Sequence, residues 1–358
     1  MRILADYHHS GLMYAFHRAF EMKLGHTLLR PIGMEWFERG FFDVAKPYGN
    51  NPATVRQFLS MTEGYEPQDG SPPLNNLLQR DHRKSYYLVD EKYHGYVQRA
   101  ISFQQFIETD IDVIIASIPD HWYTYKRLRD QFKPKAKLIC HMGNMFNEVI
   151  PALRDGTIEN LMASTLPLSL PVSKSGNPVH VLYYYQDQPV IEGFTPPRHN
   201  TINSYVHVLP MKEQYMRYKD ALADTIDMKA YGGSCPDGWM SSLDGLYDSM
   251  LDSKMVYQVK PGGDGYGWNW HSAYMLGRAV ITRYSDYQDK LGGLLFKDNV
   301  TGIDLDRGTF KENVARIKEA VTTEKHIEMG IEAQKRWKAH VDYEQETMRI
   351  KKFLENLQ

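Results

Sequence analysis

Short apolar runs alternate with segments whose apolar residues recur every three or four positions, and this alternation limits the chain to few architectures. "MRILADY" opens with a strand-like run. "LMYAFHRAFEMKLG" then carries helical spacing and stops at Gly25, a residue type favoured just past a helix end. "HTLLRPIG" reads as a second strand, "YVQRAISFQQFIET" (96–109) as a helix, "IDVIIASIP" as a strand, "HWYTYKRLRDQF" as a helix and "AKLICHMGN" as another strand. These runs are continuously apolar rather than alternating, as strands are when helices cover both faces of a parallel sheet. The expected fold class is α/β, with helices on both faces of parallel sheets.

The pattern falters between about 151 and 178, where "LPLSLPVSKSGNP" strings Pro, Ser and Gly together, and a hinge is expected there. It then resumes through "VHVLYYYQD", "TINSYVHVL", "KEQYMRYKDALADT", "DMKAYGG", "SKMVYQVK" and "GRAVITRYSDY". Two α/β halves of similar size around that hinge follow, residues 1–175 and 176–325, with a helical segment at 326–358. A stretch from about 47 to 82, rich in Pro, Gly and Asn, is expected to be an irregular insertion. From Thr309 to Leu357 the pattern is nearly continuous amphipathic helix, with Ile317, Val321, Ile327, Ile331, Trp337, Val341, Met348 and Phe353 as expected packing residues.

Composition closes several alternatives. Two cysteines, Cys140 and Cys235, allow neither a disulfide framework nor a four-cysteine metal site. A formal net charge of −2 over 358 residues is not that of a generally basic nucleic-acid binder, although a local basic groove stays open. No apolar run reaches the roughly 18 residues of a membrane span, and "MRILADYHHSG" has no signal-peptide pattern, so a cytoplasmic location is expected.

"VKPGGDGYGWNWHSAYMLGRAVI" (259–281) places a glycine-rich turn between a buried strand and a helix. Such a turn presents backbone N–H groups at the positive end of a helix dipole, where phosphate binds well. Lys260 stands at the strand's carboxyl end, the edge on which open α/β sheets hold ligands. Gly262, Gly263, Gly265 and Gly267 let backbone approach without a Cβ, with Tyr266 between the last two. The stretch is neither a P-loop nor a Rossmann fingerprint. A turn that serves only to seat the helix is the alternative reading.

"SAYMLGRAVITRYSDY…TGIDL" resembles the donor-binding half of GT-B glycosyltransferases, above all the retaining Glu-x7-Glu (group 1/family 4-like) enzymes. Ala273, Leu276, Gly277, Val280 and Ile281 match that family's helix–strand turn, and Thr301-Gly302 its later Thr-Gly pair. The motif glutamates fall on Asp264 and Ser272, and the usual proline is Ala279. The likeness covers mainly residues 255–306. It implies two Rossmann-like domains facing each other across a cleft, with the C-terminal helical segment packing back on the first domain.

It further implies transfer of a sugar from a nucleotide diphosphate-sugar to a hydroxyl acceptor, without cofactor or metal, leaning to retention. Asp264 would face the donor sugar, Ser272 would donate to ribose or phosphate, and His271 would add a polar contact. Lys212, with Arg198 behind it, would join Lys260 on the phosphates.

At the ends of the first-half strands, His8 and His9 are candidates to orient or deprotonate the acceptor, with Ser10 and Gly11 beside them. His121 and Trp122 follow the central strand, and His141 and Asn144 end the next. The acceptor stays open. Phage-type transfer to hydroxymethylated DNA bases is one alternative, with Arg56, Arg80, Arg83 and Lys84 as a duplex-binding rim. A nucleotide-sugar epimerase of the same shape and a non-catalytic nucleotide-sugar-binding protein are the others.

Overall fold

A computed structural model describes residues 1–5, 15–31, 100–101, 103–116, 122–142, 151–152, 155–164, 179–181, 194–205, 211–232, 235–238, 240, 243–263 and 265–357. The chain divides into two compact units. One comprises Met1–Tyr185 with Tyr343–Gln358, and the other Gln186–Asp342.

Seven parallel strands form the sheet of the first unit. They are β1 (Arg2–Ala5), β2 (Thr27–Pro31), β3 (Ala100–Ile101), β4 (Val113–Ala116), β5 (Lys137–Met142), β6 (Asn160–Ala163) and β7 (Val179–Val181). Their order is β3-β2-β1-β4-β5-β6-β7. The chain therefore builds outward from β1 and returns to its other side at β4, which makes β1/β4 the switch point of a doubly wound sheet. Ile3, Leu4 and Val113 through Ala116 are buried, which accounts for their uninterrupted apolar character. Helices α1 (Phe103–Glu108) and α2 (Trp122–Phe132) cover the sheet, and a π-helical segment at His17–Lys23 precedes β2.

Two expectations fail here for physical reasons. Of the helix expected over 96–109, the described residues show α1 preceded by a strand, because Ala100 and Ile101 pair in parallel with Arg30 and Pro31 of β2. A sheet edge with open backbone groups outweighs helical propensity at those two residues. The hinge expected at 151–178 contains β6, a fully buried strand between β5 and β7. Its polar Asn160 disguised it. That side chain is buried and its Nδ2 donates to the Leu138 carbonyl at 2.9 Å. Because β7 also joins this sheet, the unit boundary falls at 185/186 rather than 175/176.

The second unit holds β8 (Thr201–Ser204), β9 (Asp227–Ala230), β10 (Met255–Tyr257), β11 (Ala279–Thr282) and β12 (Gly302–Asp304), in the order β12-β11-β10-β8-β9 and all parallel. The switch point of this sheet lies between β8 and β10. Its helices are α3 (Lys212–Leu222), α4 (Leu243–Asp252), α5 (Trp268–Met275), α6 (Leu291–Leu295), α7 (Phe310–Thr322) and α8 (Lys325–His340). One core cluster joins Ile202, Tyr218, Met228, Tyr257, Ile281, Ile303, Ile317 and Met329.

The continuous C-terminal helix is in fact three. A capping box of Thr309 and Glu312 starts α7, and α9 (Tyr343–Glu355) follows α8 after Val341 and Asp342. Each break resets which face turns inward. Ile331 and Met348, expected in the core, are therefore exposed, while Ile317, Val321, Trp337 and Phe353 are buried. Residues 325–342 belong to the second unit. Helix α9 belongs to the first, packing on β7 and on the π-helical segment, where Lys23 pairs with Glu344.

Helix α8 crosses the α5–β11 turn at a glycine pair. A Cβ on Gly330 would lie 2.2 Å from the Gly277 carbonyl oxygen, and Gln334 Nε2 donates to the Met275 carbonyl at 3.0 Å. Gly330→Ala must therefore push backbone from backbone. The expected cost is about 1–3 kcal/mol, read as a lower urea midpoint with an unchanged m-value.

Candidate functional site

The carboxyl edge of the second sheet gathers the features that the sequence singled out. Strand β10 leaves the sheet at Tyr257, and a loop leads through Lys260 and the glycines to α5. Gly267, at φ 70°, is the residue before α5, and the first bond within that helix runs from His271 N to Gly267 O at 3.0 Å. The amides of residues 268–270 thus precede the first intrahelical bond, on the positive end of the helix dipole. Asn269 Nδ2 donates to the Tyr205 carbonyl at 3.1 Å, tying this helix start to the residue after β8 and so to the switch point. Tyr205 stacks on Tyr231, which follows β9, with ring centroids 5.9 Å apart.

The glycine pair has a cause that the sequence did not reveal. Gly263, at φ 64°, would place a Cβ 2.2 Å from the carbonyl oxygen of Asp286. The backbone that approaches so closely is the chain's own Tyr284–Asp286 turn after β11. The amide of Gly262 donates to Asp286 Oδ1 at 2.9 Å, so one amide expected on a phosphate is taken by a carboxylate. The turn is itself pinned, since Asp304 Oδ1 accepts from Tyr284 N at 3.0 Å and Asp306 Oδ2 from Ser285 N at 2.9 Å. Burial opposes ionisation of Asp306, but the Ser285 amide and Arg283 outweigh it and hold its carboxyl below the usual range.

The other expected site residues separate by position. Lys260 is half-buried at the carboxyl edge, and Lys212 is exposed as the first residue of α3, the helix that follows β8. Gly265 and Tyr266 are buried in the loop. His271 is fully buried, 4.2 Å from the Tyr266 ring in a stack, and burial pushes its pKa down to about 3. Stacked on Tyr266, it is a neutral ring packed beneath the loop. Ser272 is likewise buried and its hydroxyl donates to the Trp268 carbonyl at 2.9 Å, which uses the proton expected to reach ribose or phosphate.

Arg198 sits before the amino end of β8, the opposite edge of the sheet, where Nη2 bonds Asp252 Oδ2 at 2.7 Å. In the first unit, Trp122 is buried against Tyr123, and Tyr123 is the exposed ring of that pair. His141 lies within β5, buried, edge-on to Phe16 and 3.5 Å from the Ser164 hydroxyl. Both are core side chains because the strand and helix extend over them. His8, His9, Ser10, Gly11, His121, Asn144 and Asp264 lie outside the described residues, as do Arg56, Arg80, Arg83 and Lys84.

Arg283 and Asp286 were missed. The available signal was their place in "TRYSDY", directly after a buried strand on the ligand-bearing edge. Among the described residues, no group of His, Cys, Asp and Glu suits a metal ion, and no helix is long and apolar enough to cross a membrane.

By sequence, no family model and no curated protein matches the chain. By structure, it is similar to HepE of Anabaena in complex with UDP and glucose, at 12% identity and a TM-score of 0.60 over 100% of both chains. It is also similar to the lipopolysaccharide outer core galactosyltransferase WaaB, at 11% identity and a TM-score of 0.54 over 99% of both chains. TarM of S. aureus, in a complex that includes UDP, matches at 12% identity and a TM-score of 0.54 over 68% of this chain, which spans 55% of the TarM chain. The fold is that of the GT-B glycosyltransferases, with two Rossmann-like parallel sheets.

The buried imidazole makes stability depend on pH. His271 has a folded pKa near 3, below its unfolded value of about 6.5, so the unfolded chain alone takes up a proton as pH falls through 6.5. Between pH 7.5 and 5.5 the wild type should lose about 1.4 kcal/mol more unfolding free energy than His271→Phe. Urea titrations at the two pH values measure the difference.

Proposed function

We propose that the chain is a glycosyltransferase whose second unit binds a nucleotide diphosphate-sugar at the carboxyl edge of its sheet. One observation carries this reading. Lys260 and the start of α5 follow β10, and Lys212 opens the helix that follows β8, the two strands that flank the switch point, within a fold shared along its whole length with a protein in complex with UDP and glucose. Breaking the bond from the anomeric carbon to the phosphate leaves negative charge on the departing diphosphate. The first-turn amides of α5, its dipole and the two lysines supply the compensating field. Positioning of the donor before reaction, rather than covalent chemistry by the protein, is the contribution this edge makes.

Asp264 stands three residues before the helix-capping glycine, where a carboxylate meets the hydroxyls of the transferred sugar in this reading. No resident cofactor is required by this chemistry. Retention of anomeric configuration rests on the family resemblance, and product NMR decides it. The acceptor is a hydroxyl compound.

Calorimetry with UDP-, GDP- and ADP-sugars tests donor binding, and a hydrolysis assay tests turnover. Lys260→Ala should weaken the free nucleoside diphosphate and its sugar alike by roughly tenfold. Asp264→Ala should weaken mainly the sugar-bearing form. If neither substitution changes affinity for a donor that the wild type binds, the donor lies elsewhere.

A further inference from the structure

Arg283 is the first residue after β11, on the same sheet edge as Lys260 and one strand away from it. Two carboxylates hold it loosely. Its Nε stands 3.5 Å from Asp306 Oδ1 and 3.7 Å from Asp286 Oδ2, longer than the about 2.7–2.9 Å of a close charge-assisted hydrogen bond. Its side chain keeps 32% of its surface accessible. Neither carboxylate depends on it for its structural bond, since Asp306 accepts the Ser285 amide and Asp286 the Gly262 amide.

The Gly262 amide, committed to Asp286, cannot also serve a phosphate, and a carboxylate placed beside the loop works against an anion. A cation at this spot restores the balance. A guanidinium matches the paired oxygens of a phosphate with two parallel donors, and a diphosphate offers more charge than one carboxylate.

We infer that Arg283 is a further contact for the diphosphate of the donor, leaving Asp306 for the phosphate oxygens when the donor binds. This rests on the glycosyltransferase reading. Asp306 then sets affinity by competing for the arginine, while Asp286 stays on the glycine loop.

Two substitutions with opposite expected signs test the assignment, using calorimetry of the full chain with UDP, GDP and ADP. Arg283→Gln should weaken the nucleoside diphosphate that binds best by about tenfold. Asp306→Asn should strengthen it roughly two- to fivefold, because the amide oxygen still accepts from Ser285 while the competing charge is gone. A merely structural arginine, needed only to seat the turn, predicts weaker binding in both variants. Weakening or no change in Asp306→Asn overturns the inference, and this variant decides even if Arg283→Gln does not fold. Wild-type protein that binds none of the three nucleotides overturns the donor reading itself, and the inference with it.

Discussion

The contact between Gly263 and the carbonyl of Asp286 is the constraint on which the carboxyl edge of the second unit's sheet depends. No side chain fits between the two backbones, so the loop after β10 and the turn after β11 move together. Carboxylates fix the rest. Asp304 and Asp306 hold the turn by the amides of Tyr284 and Ser285, and the turn's own Asp286 holds the loop by the amide of Gly262. Position is therefore transmitted from β12 through β11 to the loop by amide–carboxylate bonds of 2.9–3.0 Å. A loop with this many glycines would be costly to order alone. Stitched in this manner, it holds the start of α5 in one arrangement, the preorganisation that the proposed stabilisation of a leaving diphosphate would need.

Aromatic packing supports the same arrangement from beneath. Trp270 is fully buried among Tyr274, Tyr287 and Phe296, with centroids 4.7–6.1 Å away. Gly292 lies against its indole, and a Cβ on Gly293 would come within 1.9 Å of the Tyr287 carbonyl oxygen. Helix α5 has no polar face for this reason: every residue from Trp270 to Met275 is buried. Its accessible residues are confined to its first turn, and the rest is core.

The doubly wound class was legible because fully buried parallel strands are written in uninterrupted apolar residues, as in Val113–Ala116 and Met255–Tyr257. Strand β6 was not, since buried Asn160 looks like loop until its bond to Leu138 is seen. At the site, the glycine loop was legible through local composition, but the reason for it was not. The partner that forbids a side chain at Gly263 lies 23 positions later, and no local pattern encodes that meeting. The burial of His271 and Ser272 was equally hidden. Polar residues beside a glycine-rich turn look like ligands, whereas the structure buries both, His271 against Tyr266 of the loop and Ser272 on the Trp268 carbonyl.

Cations at the two edges of the second sheet keep different partners. On the amino edge they are consumed. Arg198 is bidentate on Asp252, and Lys254 donates to the Val321 carbonyl at 2.8 Å. Arg278, buried and pushed down to about 10 by desolvation, gives its guanidinium to the carbonyls of Thr195, Leu251, Leu276 and Gly277. These charges knit chain segments together and have little left to offer an anion. On the carboxyl edge, Lys212 is exposed, Lys260 half-exposed, and Arg283 sits between two carboxylates beyond close hydrogen-bond range. Cations and carboxylates thus stand together where the strands end and the α5 dipole begins. The arginine that keeps only long contacts to its carboxylates, and the amino end of α5, are the groups of this edge that the proposed donor would meet.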